Sequence, residues 1–208
     1  MTNPLFFPEP LRRVVACWDY WEQVASTARL ARSEAIAQTG RPVPVPTMPV
    51  GPRMSPTGEF GLFTPQIVYI LAQTPNGYRI DVQDRGARSP WAEISDFYDV
   101  EKFLVWRIGD MVRREYGLRP LSAVFYEVDW QGGTRAEPVD PDATRLVRLY
   151  LEDDPQPRAL LGLASAIPFS HVLQLSLDEL NQHLRTRIPP QAFPEQAPAV
   201  EHEGVSAG

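Results

Sequence analysis

SDFYDVEKFLVWRIGDMVRREYG, residues 95–117, is the stretch on which the fold turns. Phe97, Val100, Leu104, Ile108, Met111 and Val112 recur at three- and four-residue steps, the period of one helix face. Phe103 and Trp106 widen that face. Asp96, Asp99 and Glu101 sit near the positive end of the expected dipole, Arg113 and Arg114 near the negative end, and Gly117 supplies the stop. The pattern predicts a helix from about Asp96 to Tyr116. An apolar face this wide calls for burial against a sheet.

The residues before this helix supply strands. IVYILAQ (67–73) and YRIDVQD (78–84) flank Thr74-Pro75-Asn76-Gly77, where Asn-Gly is expected to provide the positive φ angles of a tight hairpin. EFGLFTP (59–65) adds a strand in front. Beyond the helix, LSAVFYEV (121–128) reads as a strand and DWQGGTRAEPVDPD (129–142) as a long polar loop. TRLVRLYLE (144–152) and RALLGLA (158–164) form a second hairpin around an acidic, proline-containing turn. A short helix follows, and Ser176 with Glu179 has capping-box spacing, which starts the last helix at Leu177.

The N-terminal side is different in kind. Leu11, Val14, Val15, Trp18, Trp21 and Ala25 form one apolar stripe, predicting a helix from about Glu9 to Gln38 that Gly40 and Pro42 end. RPVPVPTMPVGPRMSPTG (41–58) alternates proline with apolar residues and is expected to be an extended strap without helix or central strand. The expectation is therefore α+β: a mostly antiparallel sheet of hairpins packed against a central helix, with a long N-terminal helix and short C-terminal helices. By region it is an N-terminal amphipathic helix over 1–40, a proline-rich strap over 41–58, an α+β domain over 59–187 and a disordered tail over 188–208.

Composition narrows function. At 208 residues, 43% hydrophobic and 22% charged, the chain suits one globular domain with appendages. The net charge of −6 is concentrated, with eight acidic against three basic residues between positions 127 and 154, the wrong sign for binding nucleic acid. One cysteine, Cys17, forms no internal disulfide, and neither a secretory leader nor a membrane-spanning run is apparent, so a soluble cytoplasmic protein is expected.

Chemistry-bearing constellations are missing. His171 and His183 are twelve apart without a cysteine partner, which matches no structural zinc spacing. Ser170 and His171 are chain neighbours on a helix and point in different directions, a poor dyad, and such a histidine more often orients a loop. Gly132-Gly133 does not open a helix, so no phosphate loop is formed. No catalytic residue, cofactor or metal is expected. Glu152, Asp153 and Asp154 read as a solvated hairpin tip or as an acidic contact surface. Trp130, with Gln131 beside it, either anchors an interface or folds back on the sheet. Trp91 carries the same alternatives.

Three stretches carry a family likeness: GYRIDV (77–82), VEKFLVWRIGDMVRREYGLRPL (100–121) and IPFSHVLQLSLDEL (167–180). In this order, residues 59–186 resemble the immunity protein 61, or tuberculosis-necrotizing-toxin antitoxin, family of bacterial toxin antidotes. The resemblance implies a non-enzymatic α+β module that binds a cognate protein toxin inside the producing cell and blocks it. In the named relatives that toxin degrades NAD, which implies occlusion of a glycohydrolase site. On this reading Trp130, Gln131, Glu152, Asp153 and Asp154 are the candidate toxin contacts. Residues 1–58 depart from the family pattern. They leave an alternative, a chaperone or secretion adaptor that holds a partner through the first helix and the strap.

Overall fold

The computed structural model describes residues 3–40, 50–64, 67–140 and 143–194. Helix α1 (Glu9–Gln38) precedes five strands, β1 (Gly51–Met54), β2 (Phe60–Phe63), β3 (Val68–Thr74), β4 (Gly77–Asp84) and β5 (Ala87–Ile94). Helices α2 (Phe97–Glu115) and α3 (Leu121–Val128) follow, then β6 (Thr134–Asp140), β7 (Ala143–Leu151) and β8 (Ala159–Gly162). Helices α4 (Leu163–Gln174) and α5 (Leu177–Arg185) close the fold. The strands form one antiparallel sheet in the order β1-β2-β3-β4-β5-β8-β7-β6. The chain is α+β, as its periodicities predict.

Alternation in the strands decides which face is covered. Ile80, Val82, Ala92, Ile94, Leu161, Ala159, Val147 and Leu149 point to one side and are buried. Helix α2 lies among these residues and those of α1, α4 and α5, so almost its whole middle is inside. The Asp96 carboxylate caps α2 at Tyr98 N, and Gly117 leaves it at φ +67. Helix α1 buries Leu11, Val14, Val15, Trp18, Trp21 and Ala25, the predicted stripe. It is tied to its neighbours by an Arg13–Glu101 ion pair and by Trp21 Nε1 donating to Asn181 Oδ1 at 3.1 Å.

Several local expectations are corrected. LSAVFYEV is helix α3, not a strand. Its Pro120 N-cap offers no capping side chain, and the Asp110 carboxylate of α2 takes over, accepting from Leu121 N at 2.6 Å and Ser122 N at 3.1 Å. A tertiary cap thus outweighs a run of β-favouring residues. Part of the expected polar loop is the edge strand β6, where Pro138 is tolerated because an edge leaves one side of the ladder unpaired. For the same reason Pro52 fits in β1, the opposite edge, inside the expected strap, while residues 41–49 lie outside the described residues. In the β3–β4 hairpin the loop is Pro75-Asn76, and only Gly77 has positive φ (+135). A Cβ there would lie 2.4 Å from Ile94 O, so both space and backbone conformation require glycine. Strand β5, not anticipated, carries a register shift that places Trp91 between its paired neighbours Pro90 and Ala92.

The chain past α5 also joins the fold before the described residues end. Ile188 and Ala192 are buried, and the Phe193 ring stacks on Tyr20 at 6.4 Å and meets Trp21 edge-on. Residues 188–194 are therefore ordered against α1, and the rest of the expected tail, 195–208, lies outside the described residues.

Candidate functional site

The candidate contact residues converge at one end of the β6–β7 ladder. Thr134 pairs with Leu151, and Glu152 N donates to Gly133 O at 2.9 Å. The Trp130–Gly133 turn and the Glu152–Asp154 turn are thereby neighbours, although some twenty residues separate them in the chain.

Helix α4 clamps the first of these turns. Ser170 Oγ accepts from Gln131 N at 3.1 Å while donating to Ile167 O at 2.7 Å. His171 Nε2 lies 2.7 Å from Asp129 O; a carbonyl can only accept, so this nitrogen carries the proton. The imidazole is stacked on Phe125 of α3, 4.7 Å away and within 7° of parallel. Gln174 Nε2 donates to Gly132 O at 2.8 Å. Three side chains of one helix thus grip three loop residues, Asp129, Gln131 and Gly132.

The grip holds a strained backbone. Asp129 sits at φ +71, ψ −157, a region that non-glycine residues rarely occupy, at a cost of about 1–3 kcal/mol. Gly133 adopts φ +79 with Gln174 against it, where a Cβ would lie 2.7 Å from Nε2. The loop is therefore preset in one shape rather than left to choose among many, which lowers the ordering cost of any partner that docks on it. His171 is a positioning group in this arrangement, as its place in the sequence suggests.

The predicted residues have unequal roles. Trp130 is half-buried and packs on the core, so much of its ring faces inward. Gln131 is half-buried, and its carbonyl accepts from Thr134 N and Oγ1 at 3.3 and 2.5 Å. Glu152 and Asp153 are exposed. Asp154 is half-buried and engaged within the turn: Oδ1 accepts from Gln156 N at 2.9 Å and Oδ2 lies 3.8 Å from Arg158. Asp154 shapes the turn while its two neighbours face solvent.

Sequence reading passed over Tyr126 and Val128. They are 51% and 64% exposed on α3, immediately before the clamped loop. As strand residues, two positions apart, they would share one sheet face and be open to burial there. The signal that could have found them is Pro120, which suits a helix start, followed by an apolar run longer than one helix face can bury.

Protonation is altered both on this surface, where the Arg119 guanidinium holds the Glu127 carboxyl of α3 below its ordinary value, and away from it. Burial pushes the Cys17 thiol up to about 12, which keeps it protonated and unreactive. Burial also raises Asp110, against the opposing hydrogen bonds from Ser122 and Leu121. Asp99 accepts from Arg158 at 2.5 and 2.8 Å and pairs with Lys102 at 2.9 Å, and Lys102 donates to Leu173 O at 2.8 Å. This buried ionic chain joins α2 to the start of β8 and the end of α4. Among the described residues no group of three or more His, Cys, Asp or Glu side chains could hold a metal ion, and no helix is long and apolar enough to cross a membrane.

Comparison with known proteins bears on the same region. Residues 65–186 match the profile of the family described as immunity protein 61. The solved structure of Rv3902c from M. tuberculosis superposes with a TM-score of 0.53, over 62% of this chain and 76% of that one, at 17% identity, which shows a shared fold. No curated protein matches the sequence. The matched span begins beside β3 and ends at the close of α5, so α1, β1 and β2 fall outside it.

Proposed function

This chain belongs to the immunity protein 61 family, and on that premise we propose that it binds a cognate protein toxin, an NAD-degrading glycohydrolase, and occludes its active site in the producing cell. The observation that carries the choice of surface is the clamped loop. A strained turn held by Ser170, His171 and Gln174 lies beside exposed Tyr126 and Val128 and next to the exposed acids Glu152 and Asp153. Aromatic and apolar anchors within a charged rim are the usual make-up of a tight interface. The acidic rim selects a toxin whose active-site cleft is edged by basic residues.

A toxin reading frame beside the gene, where an antidote's partner is expected, supplies the protein for the test. Tyr126→Ala should weaken the complex by about 10- to 100-fold, and Glu152→Lys with Asp153→Lys should slow association, as expected for an anchor and a steering pair. Unchanged binding in both variants would move the interface elsewhere.

The adaptor reading has its own structural footing, because the last turns of α1 stand clear of the core and leave Leu30 63% exposed. Removing residues 1–58 cannot decide between the readings, since Trp18 and Trp21 are core residues. Leu30→Glu can: neutralisation unaffected by it supports the antidote, and loss of partner capture supports the adaptor.

A further inference from the structure

We propose that the cavity between α1, α2 and the β2–β3 connection binds a small diphosphate-bearing anion through Arg107 and Arg114. The cavity is about 280 Å³, near the lower size limit of small-molecule sites. Arg107, Asp110, Met111 and Arg114 line it from α2. Their spacing is that of a single helix face, on which Arg107, Met111 and Arg114 retain exposure while Asp110 is buried.

Arg107 is held in place, near the Asp110 charge but without a carboxylate at ion-pair distance among the described residues. Its guanidinium lies over the rings of Trp106, Trp91 and Tyr69 at 5.0, 5.5 and 5.8 Å, and Nε donates to Tyr69 Oη at 3.0 Å. These contacts fix the guanidinium plane and leave both terminal nitrogens without an acceptor among the described residues. Arg114 is exposed and likewise has no carboxylate partner there. The carboxylates in the lining are already engaged: Asp110 spends both oxygens on the α3 amides, and Glu115 pairs with Arg32 at 2.9 Å. Elsewhere in this acidic chain, arginines such as Arg13, Arg88 and Arg158 each meet a carboxylate.

A planar guanidinium with its outer edge free is built for bidentate contact with an oxyanion. Seven residues of helix separate the two arginines by roughly 10.5 Å along the axis, which suits two linked anionic groups better than one. Arg32 and Thr64 of the lining come from outside the family-matched span, while Arg107 and Arg114 lie within it, so the cavity joins the family core to this chain's N-terminal part. It does not rest on the toxin reading and survives that reading's failure.

Calorimetric titration of the full chain with pyrophosphate, and with sulfate at matched ionic strength, tests the site. Saturable pyrophosphate binding at least about tenfold tighter than sulfate is expected, with a further loss of about tenfold in Arg107→Lys and in Arg114→Gln. Arg114 is exposed, so its variant keeps the fold, which a thermal melt verifies. Equal binding of the two anions, or either folded variant binding as well as the native protein, overturns the proposal.

Discussion

Leu121 N donates to Asp110 Oδ1 at 2.6 Å, so the first turn of α3 is capped by a carboxylate from α2, eleven residues earlier. Ser122 N completes the cap on Oδ2 at 3.1 Å. Two helices are thereby joined at a bond that each needs for a different reason: the cap supplies α3's missing acceptor, and the amides solvate a carboxylate that is 3% exposed.

Removing that carboxylate should loosen α3 first. Asp110→Ala is expected to cost about 1–2 kcal/mol, the range for a lost N-cap. Hydrogen exchange should report faster exchange in residues 121–128 than in α2. Equal acceleration in both helices would mean that the bond is not α3's own support.

The same residue sets a pH dependence. Burial raises the Asp110 carboxyl above its ordinary value, so the folded state holds this proton more firmly than the unfolded state. Its stabilising contribution is full below the unfolded value of about 3.9 and is lost as pH rises through the folded one. Asp110→Asn cannot ionise. The stability advantage of the native protein over Asp110→Asn should therefore shrink as pH rises from about 4, and melts that show it constant or growing would contradict the assignment.

Lys102, the chain's only lysine, is 3% exposed and depends on Asp99 for its counter-charge. Asp99→Ala strands it together with Arg158 and should cost about 3–5 kcal/mol. Asp99→Ala with Lys102→Met should recover part of that loss in a denaturant titration. A double variant no better than the single one would show that the penalty comes from packing, not charge.

Gly109 is where α2 and α5 meet most closely. A Cβ there would come within 2.4 Å of both Leu184 methyl carbons, and Leu184 is fully buried. Gly109→Ala should destabilise by about 1–3 kcal/mol despite alanine's better helix propensity. Adding Leu184→Ala should then cost less than Leu184→Ala does alone, a coupling that a double-mutant cycle measures.

At the clamped loop, His171→Ala removes both the Asp129 contact and the stacking on Phe125. On the antidote reading it should weaken toxin binding by about tenfold through a less ordered loop, with association slowed where the loop must reorganise. His171→Gln retains a side-chain donor and should recover part of the affinity in a binding titration. Full affinity in His171→Ala would show that the loop's preset shape does not matter to binding.

The sequence by itself determined the elements whose signals are local. The apolar stripes of α1 and α2, the Ser176–Glu179 capping box and the β3–β4 and β7–β8 hairpins depend on residues a few positions apart, and the structure contains each of them. The candidate contacts were legible only as types: an acidic turn and a loop tryptophan. Tertiary structure decided that Trp130 packs on the core, while Tyr126 and Val128 stand out. It also decided that 121–128 is a helix, that β6 forms an edge, and that Arg107 stands beside a cavity without a carboxylate at ion-pair distance among the described residues. The deciding groups lie beyond the local pattern: Asp110, eleven residues earlier, for α3; pairing with the next strand β7 for β6; and Tyr69, Trp91 and Arg32, from distant parts of the chain, for the cavity. Periodicity and caps report what a residue does with its chain neighbours; a partner brought near by folding leaves no such local signal.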